Sequence, residues 1–148
     1  MKRAGVVCIL ILAFCGLSDS IYLAQHEASN TPLLCNVENL SGCNIVAASQ
    51  YARFFGVSLA EYGVIFCAFM FIVAALELVI FDRLLRRILQ GVSLVGIAIS
   101  FYLTFIEFFV VKALCVYCLA SAGVAIGIFI FACLIEPLRK SSLYRPPS

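Results

Sequence analysis

"ALCVYCLASAGVAIGIFIFACLI", residues 113–135, decides the fold. From Cys115 to Ile135 it carries no charged side chain. As a helix it is long enough to cross roughly 30 Å of hydrocarbon, which takes about 20 residues. At its head stand Cys115 and Cys118, in a C-x-x-C spacing that serves redox chemistry or metal binding. Both chemistries usually need water, so the pair marks one end of this span as a working end.

Working outward, the same apolar character fills the chain. Of its 148 residues, 64% are hydrophobic, far more than a soluble domain of this size can hide behind a polar exterior. Three further runs are long enough to span a bilayer, at about Ala4–Ala24, about Tyr62–Phe81 and about Ile88–Val111. A transmembrane barrel would instead alternate over segments of about 10 residues. The expected fold is an all-α integral membrane protein, with residues 1–148 forming one domain around a bundle of four transmembrane helices. The fourth span covers about Cys115–Ile135, an outer loop occupies 25–61, and 136–148 is a tail. The opening "MKRAGVVCILILAFCG" also has the basic start and apolar core of a secretory signal. Its run is long, however, no small-x-small cleavage site follows, and Phe14 before Cys15 makes a poor lipoprotein box. A retained first helix is expected.

Lys and Arg set the orientation. With four spans, both termini share a side with the link between the second and third helices. That side holds Lys2, Arg3, Arg83, Arg86, Arg87, Arg139, Lys140 and Arg145, while the other holds only Arg53 and Lys112. Both termini are therefore expected in the cytoplasm, with Cys35, Cys43, Cys115 and Cys118 on the outer face. That compartment is oxidising, and disulfides persist there.

The outer segment is polar and rich in Asn and Ser up to Cys43. Beyond it, Ile45, Val46, Tyr51, Phe54 and Phe55 recur at helical spacing, which predicts a short amphipathic helix over Asn44–Phe55 at the membrane interface. Gly56 ends that helix, and Ser58 is a candidate N-cap for the second span. An internal similarity runs through the chain at an offset of 80 residues: "GLSDSIYLAQHE" (16–27) aligns with "GIAISFYLTFIE" (96–107). Eight residues beyond Glu27 and Glu107 lie Cys35 and Cys115. Each half then reads as helix, cysteine pair, helix, in the manner of parallel repeats.

The cysteines allow several chemistries. At the first turn of a helix, unpaired N–H groups and the helix dipole stabilise a thiolate. Cys115 would sit at the aqueous lip and Cys118 one turn deeper, within reach of a substrate dissolved in the bilayer. A structural disulfide between them would close a very small loop and stabilise little. A metal site needs further ligands, and the single histidine, His26, makes that reading weak. Cys35 and Cys43 fit a static loop disulfide, or a mobile pair that exchanges electrons between an outside protein and the embedded pair. Cys8, Cys15, Cys67 and Cys133 read as packing residues within helices. Asp19 lies inside the first span toward the outer leaflet, where it either packs against Ser20 or the interface, or serves function. Glu107 is expected to reach the interface. Nothing in the chain suggests a nucleotide loop, a nucleic-acid patch or a Ser/His/Asp constellation.

Taken together, Cys35-x7-Cys43, Ser49 six residues on, and "CVYC" at the head of the last span resemble the vitamin K epoxide reductase family. The stretch "SDSIYLAQHE" is similar to the first helix of its bacterial members. The resemblance implies a four-helix bundle around a quinone site near the outer leaflet of a bacterial inner membrane. It implies Cys35 and Cys43 as the shuttle pair, with Cys43 passing electrons to Cys115. Cys115 and Cys118 would form the active-site disulfide, Cys118 would adjoin the quinone ring, and Ser49 would hydrogen-bond a ring oxygen or the Cys118 thiolate. The acceptor would be ubiquinone or menaquinone, with no metal. Ala122 stands where animal members carry Tyr, and no Asn occurs in the second span, which puts epoxide reduction in question. Many bacterial members carry a fused thioredoxin-like domain. This chain ends at "LYRPPS", so a separate thioredoxin-like protein is the expected partner, and disulfide formation for the outer compartment the expected activity. The alternatives are a reductase whose product is the reduced quinone itself, and a non-catalytic metal-handling or scaffold protein.

Overall fold

A computed structural model describes residues 2–31 and 42–135. Five α-helices follow one another: α1 (Lys2–Ala28), the short α2 (Cys43–Ala48), α3 (Leu59–Ile80), α4 (Arg83–Ile106) and α5 (Val116–Ile135). Among the described residues, four helices are long and apolar enough to cross a membrane: α1, α3, α5, and α4 with the turn that continues it. The protein is a multi-pass, all-α membrane bundle.

The helices begin and end where local chemistry requires. Ser58 caps α3, its Oγ accepting from the Ala60 N–H at 3.2 Å, as its position in the sequence suggests. Phe81 closes α3 in the left-handed conformation, and Asp82 opens α4 by accepting from the Leu84 N–H at 3.2 Å. That two-residue link makes α3 and α4 an antiparallel pair. Because of the cap, α4 starts at Arg83, before the apolar run begins. Its early charge is accommodated where Arg86 Nε meets Glu77 Oε1 at 2.5 Å, with Glu77 fully buried. The Gln90 amide then reaches the Ala132 carbonyl at 3.1 Å and ties α4 to α5.

Around the bundle α1 packs chiefly on α3 and α5, and α4 on α5 and α3. The two helices related by the internal repeat therefore stand at opposite corners. Ile9, Ala13, Met70, Ala74, Leu89, Ile128 and Ala132 form a tight core toward the end that carries the α3–α4 link. Toward the cysteine end, small residues let backbones approach, with a Cβ on Gly63 falling 2.9 Å from Ser20 Oγ. The outward faces remain apolar, with side chains such as Phe14, Val79, Phe101 and Leu134 largely exposed, a surface suited to lipid.

The helix expected over Asn44–Phe55 is shorter in the structure. It stops at Ala48, passes through a 3₁₀ turn at Gln50–Ala52, and gives way to an antiparallel ladder of β1 (Arg53–Phe54) with β2 (Val57–Ser58). Phe55 and Gly56 both take positive φ, the geometry of a two-residue hairpin turn. Gly56 adopts it without steric cost, so the local backbone overrides the helical spacing of the apolar residues.

Candidate active site

The site is built at the end of the bundle where α4 turns into α5. Instead of stopping cleanly, α4 widens into a π-helical turn over Glu107–Val111, and Lys112 reverses the chain in the left-handed conformation. Such turns recur at functional sites. Three residues later Cys115 caps α5, its carbonyl accepting the first helical bond from the Leu119 N–H at 3.1 Å.

Cys115 is not at an aqueous lip. It is 1% exposed, and so is Cys43, with which it forms one packed cluster beneath Tyr22, Leu23, Val46 and Tyr117. The cause lies beside each cysteine: a Cβ on Gly42 would fall 2.7 Å from Ala113 Cβ and 2.8 Å from the Leu114 backbone nitrogen. The start of α2 thus rests directly on the loop that leads into α5, a distance only glycine allows. Cys43 is disulfide-bonded, whereas Cys115 and Cys118 are free thiols. Cys35 lies outside the described residues.

Electrostatics around Cys115 favour its thiolate. The Cys118 thiol donates to its sulfur, and the backbone N–H groups of Cys118 and Tyr117, at the open end of α5, add to this. Burial and the nearby Glu107 carboxylate oppose them, and the balance brings the thiol down to about 7 from its usual 9.0. Among the described cysteines with free thiols, the one next to the oxidised Cys43 is therefore already a nucleophile at neutral pH.

Glu107 does not reach the interface. It is buried at 4% exposure, Oε2 accepts from the Cys115 N–H at 3.5 Å, and its carboxylate shares the single Cys118 S–H with the Cys115 sulfur. Sequence reading missed this role. The signal was present in the repeat, which sets Glu107 eight residues before Cys115, but only the π turn brings the carboxylate back onto the pair. Asp19 has a partner other than Ser20: Ser121, one turn below Cys118, donates to Asp19 Oδ2 at 2.7 Å and joins α5 to α1.

These groups face a cavity of about 1250 Å³ inside the four long helices, with α2 and the hairpin around its mouth. Cys43, Ser49, Cys67, Glu107, Cys115 and Cys118 all contribute to its wall, and most of the remainder is apolar. Ser49 follows the last turn of α2 and donates to the Val46 carbonyl at 2.7 Å, which leaves its oxygen lone pairs for a ligand. At the mouth Glu27 accepts from Ser58 and pairs with Arg53 at 3.7 Å. An apolar chamber with a few convergent polar groups suits a flat, apolar ligand. Among the described residues, no group of three His, Cys, Asp or Glu side chains is arranged to hold a metal.

Comparison with known proteins agrees with this geometry. The model of the vitamin K epoxide reductase family matches residues 7–133. The chain is also 26% identical, over 150 aligned positions, to the mouse protein vitamin K epoxide reductase complex subunit 1, covering 89% of this chain and 91% of that one.

Proposed function

The chain belongs to the vitamin K epoxide reductase family, and from that premise we propose that it reoxidises a separate thioredoxin-like protein with a membrane quinone and so drives disulfide formation outside the cytoplasm. The observation that carries this reading is the common burial of Cys43 and Cys115, with Cys118 and Glu107 on the wall of a ligand-sized apolar cavity.

The partner's dithiol reduces a Cys35–Cys43 disulfide. Cys43 thiolate then attacks the Cys115 sulfur of a Cys115–Cys118 disulfide, forming a Cys43–Cys115 bond and releasing Cys118. Attack by Cys35 on Cys43 restores the shuttle disulfide and frees Cys115, whose low pKa makes it a good leaving group. Two electrons now rest on Cys115 and Cys118, beside the cavity. A disulfide-bonded Cys43 beside free Cys115 and Cys118 thiols supports this order of transfer. Ubiquinone or menaquinone accepts the electrons in the cavity, with Ser49 as a hydrogen-bonding group for a ring oxygen. We place the protein in a bacterial inner membrane, and the excess of Lys and Arg at the opposite end of the bundle supports cytoplasmic termini with the site on the outer face.

A second reading, that reduced quinone or vitamin K is itself the product, draws support from the name of the mouse relative. Ala122, where animal members carry Tyr, weighs against epoxide as the substrate. The test uses protein purified in detergent, a thioredoxin-like dithiol and a soluble quinone, following quinone absorbance. Cys118→Ala should abolish turnover, and Cys43→Ala should block the protein dithiol while a small thiol still works. A wild type no faster than Cys118→Ala across several quinones would sink the proposal.

A further inference from the structure

Oxidising a dithiol with a quinone moves two protons as well as two electrons, and the thiol–quinone reading leaves the proton carrier unassigned. Four kinds of charged or titratable side chain line the cavity besides the cysteines: His26, the carboxylates Glu27 and Glu107, Arg53, and the tyrosines Tyr51 and Tyr62. Glu27 is engaged at the mouth with Ser58 and Arg53, and His26 Nδ1 is bonded to Thr31 at 2.9 Å. Glu107 is the carboxylate that touches the reacting sulfur. It is buried, lines the cavity, and hydrogen-bonds both the Cys118 thiol and the Cys115 N–H.

Resting on that reading, we propose that Glu107 is a catalytic residue which takes the proton from the Cys118 thiol and delivers it to a quinone ring oxygen. The S–H bond of Cys118 breaks toward the Glu107 carboxylate, an S–S bond forms between Cys118 and Cys115, and the electron pair goes to the ring. Glu107 then gives its proton to one ring oxygen and returns to the carboxylate. The other thiol proton leaves Cys115 for water, and water protonates the second ring oxygen. Dithiol plus quinone becomes disulfide plus quinol, in balance. The Cys115 N–H donor keeps the carboxyl aimed at the pair through the cycle.

The substitution Glu107→Gln tests this, because an amide oxygen still accepts from Cys115 N–H but cannot carry the proton. In single turnovers the quinone step should slow by about 10²–10⁴-fold, the usual contribution of a general acid–base. Transfer from the protein dithiol into the oxidised Cys115–Cys118 pair should slow less than the quinone step, since it bypasses the Cys118-to-ring proton path. A third readout needs no quinone. The groups facing Cys115 are Cys118 and Tyr117 on α5, Glu107 after α4, Tyr22 on α1 and Cys43 on α2. Removing the Glu107 charge should move the thiolate absorbance of Cys115 to lower pH.

An unchanged quinone step in Glu107→Gln overturns the role while leaving the thiol–quinone reading intact. So does an unmoved Cys115 titration, which would mean that Glu107 carries no charge with which to accept a proton. If the Gln variant fails to fold, Glu107→Asp retains the acid, and it must keep a quinone step within about 100-fold of wild type, whose full general acid–base contribution is at most about 10⁴. A slower Asp variant overturns the proposal. A wild type with no quinone-dependent rate removes the underlying reading, and this role with it.

Discussion

Replacing Cys118 by Ala should make Cys115 a weaker acid, and the size of the change can be worked out. Three donors hold the Cys115 thiolate, and the Cys118 thiol is the strongest; the N–H groups of Cys118 and Tyr117 come after it. With a pKa of about 7, half of Cys115 is thiolate at pH 7; at the ordinary 9.0, about 1% would be. The sign is that of a lowered pKa: thiolate is present above pH 7 and is lost as the pH falls below it. If Cys118 supplied the whole effect, the thiolate fraction at pH 7 would fall about fiftyfold in the variant. The more basic thiolate is intrinsically more reactive, by about eightfold for a shift of two units at a Brønsted slope of about 0.45. The net alkylation rate at pH 7 should therefore drop by up to about sixfold, while the rate above pH 9 rises. The surviving N–H donors keep the shift short of that limit. The assay is iodoacetamide labelling against pH, with the Cys115 peptide quantified by mass spectrometry in detergent. A profile still centred near pH 7 in Cys118→Ala would refute the reasoning and assign the effect to the end of α5 alone.

Two other outcomes are expected. Gly42→Ala places a Cβ 2.7–2.8 Å from Ala113 and the Leu114 backbone, so it must lift α2 off the loop before Cys115. Electron transfer from Cys43 to Cys115 should slow at least tenfold in stopped flow, while small-thiol-driven turnover is kept; equal loss of both would mean general unfolding instead. Glu77→Gln leaves the Arg86 guanidinium without its carboxylate, with Glu77 at 0% and Arg86 at 11% side-chain exposure. Breaking a buried pair costs about 3–5 kcal/mol, read from unfolding in detergent, and a loss below about 1 kcal/mol would mean that water already solvates the pair.

The reach of the sequence differs between the bundle and the site. Four long apolar runs, the Ser58 cap and the C-x-x-C at the head of α5 were legible because each is a local property: hydrocarbon thickness sets a length, and a helix start needs an acceptor. The helix expected over Asn44–Phe55 was misjudged because side-chain periodicity cannot register the paired positive φ angles of Phe55 and Gly56, which make a hairpin there. Glu107 was misplaced for a related reason. Its direction depends on a π turn, and nothing in a row of apolar residues reveals where a helix will widen.

By itself, then, the sequence determined that this protein crosses a membrane four times and carries redox-capable cysteines at one end, since burial in lipid and thiol chemistry follow from residue type and spacing alone. Tertiary structure decided which groups meet. Gly42 against Leu114 lays Cys43 over Cys115, and the turn after α4 swings Glu107 onto Cys118. The Cys118 thiol, with the N–H groups at the open end of α5 behind it, turns an ordinary thiol into one that ionises near neutrality. Those are effects of a few ångströms between segments far apart in the chain, and the distances exist only once the helices have packed.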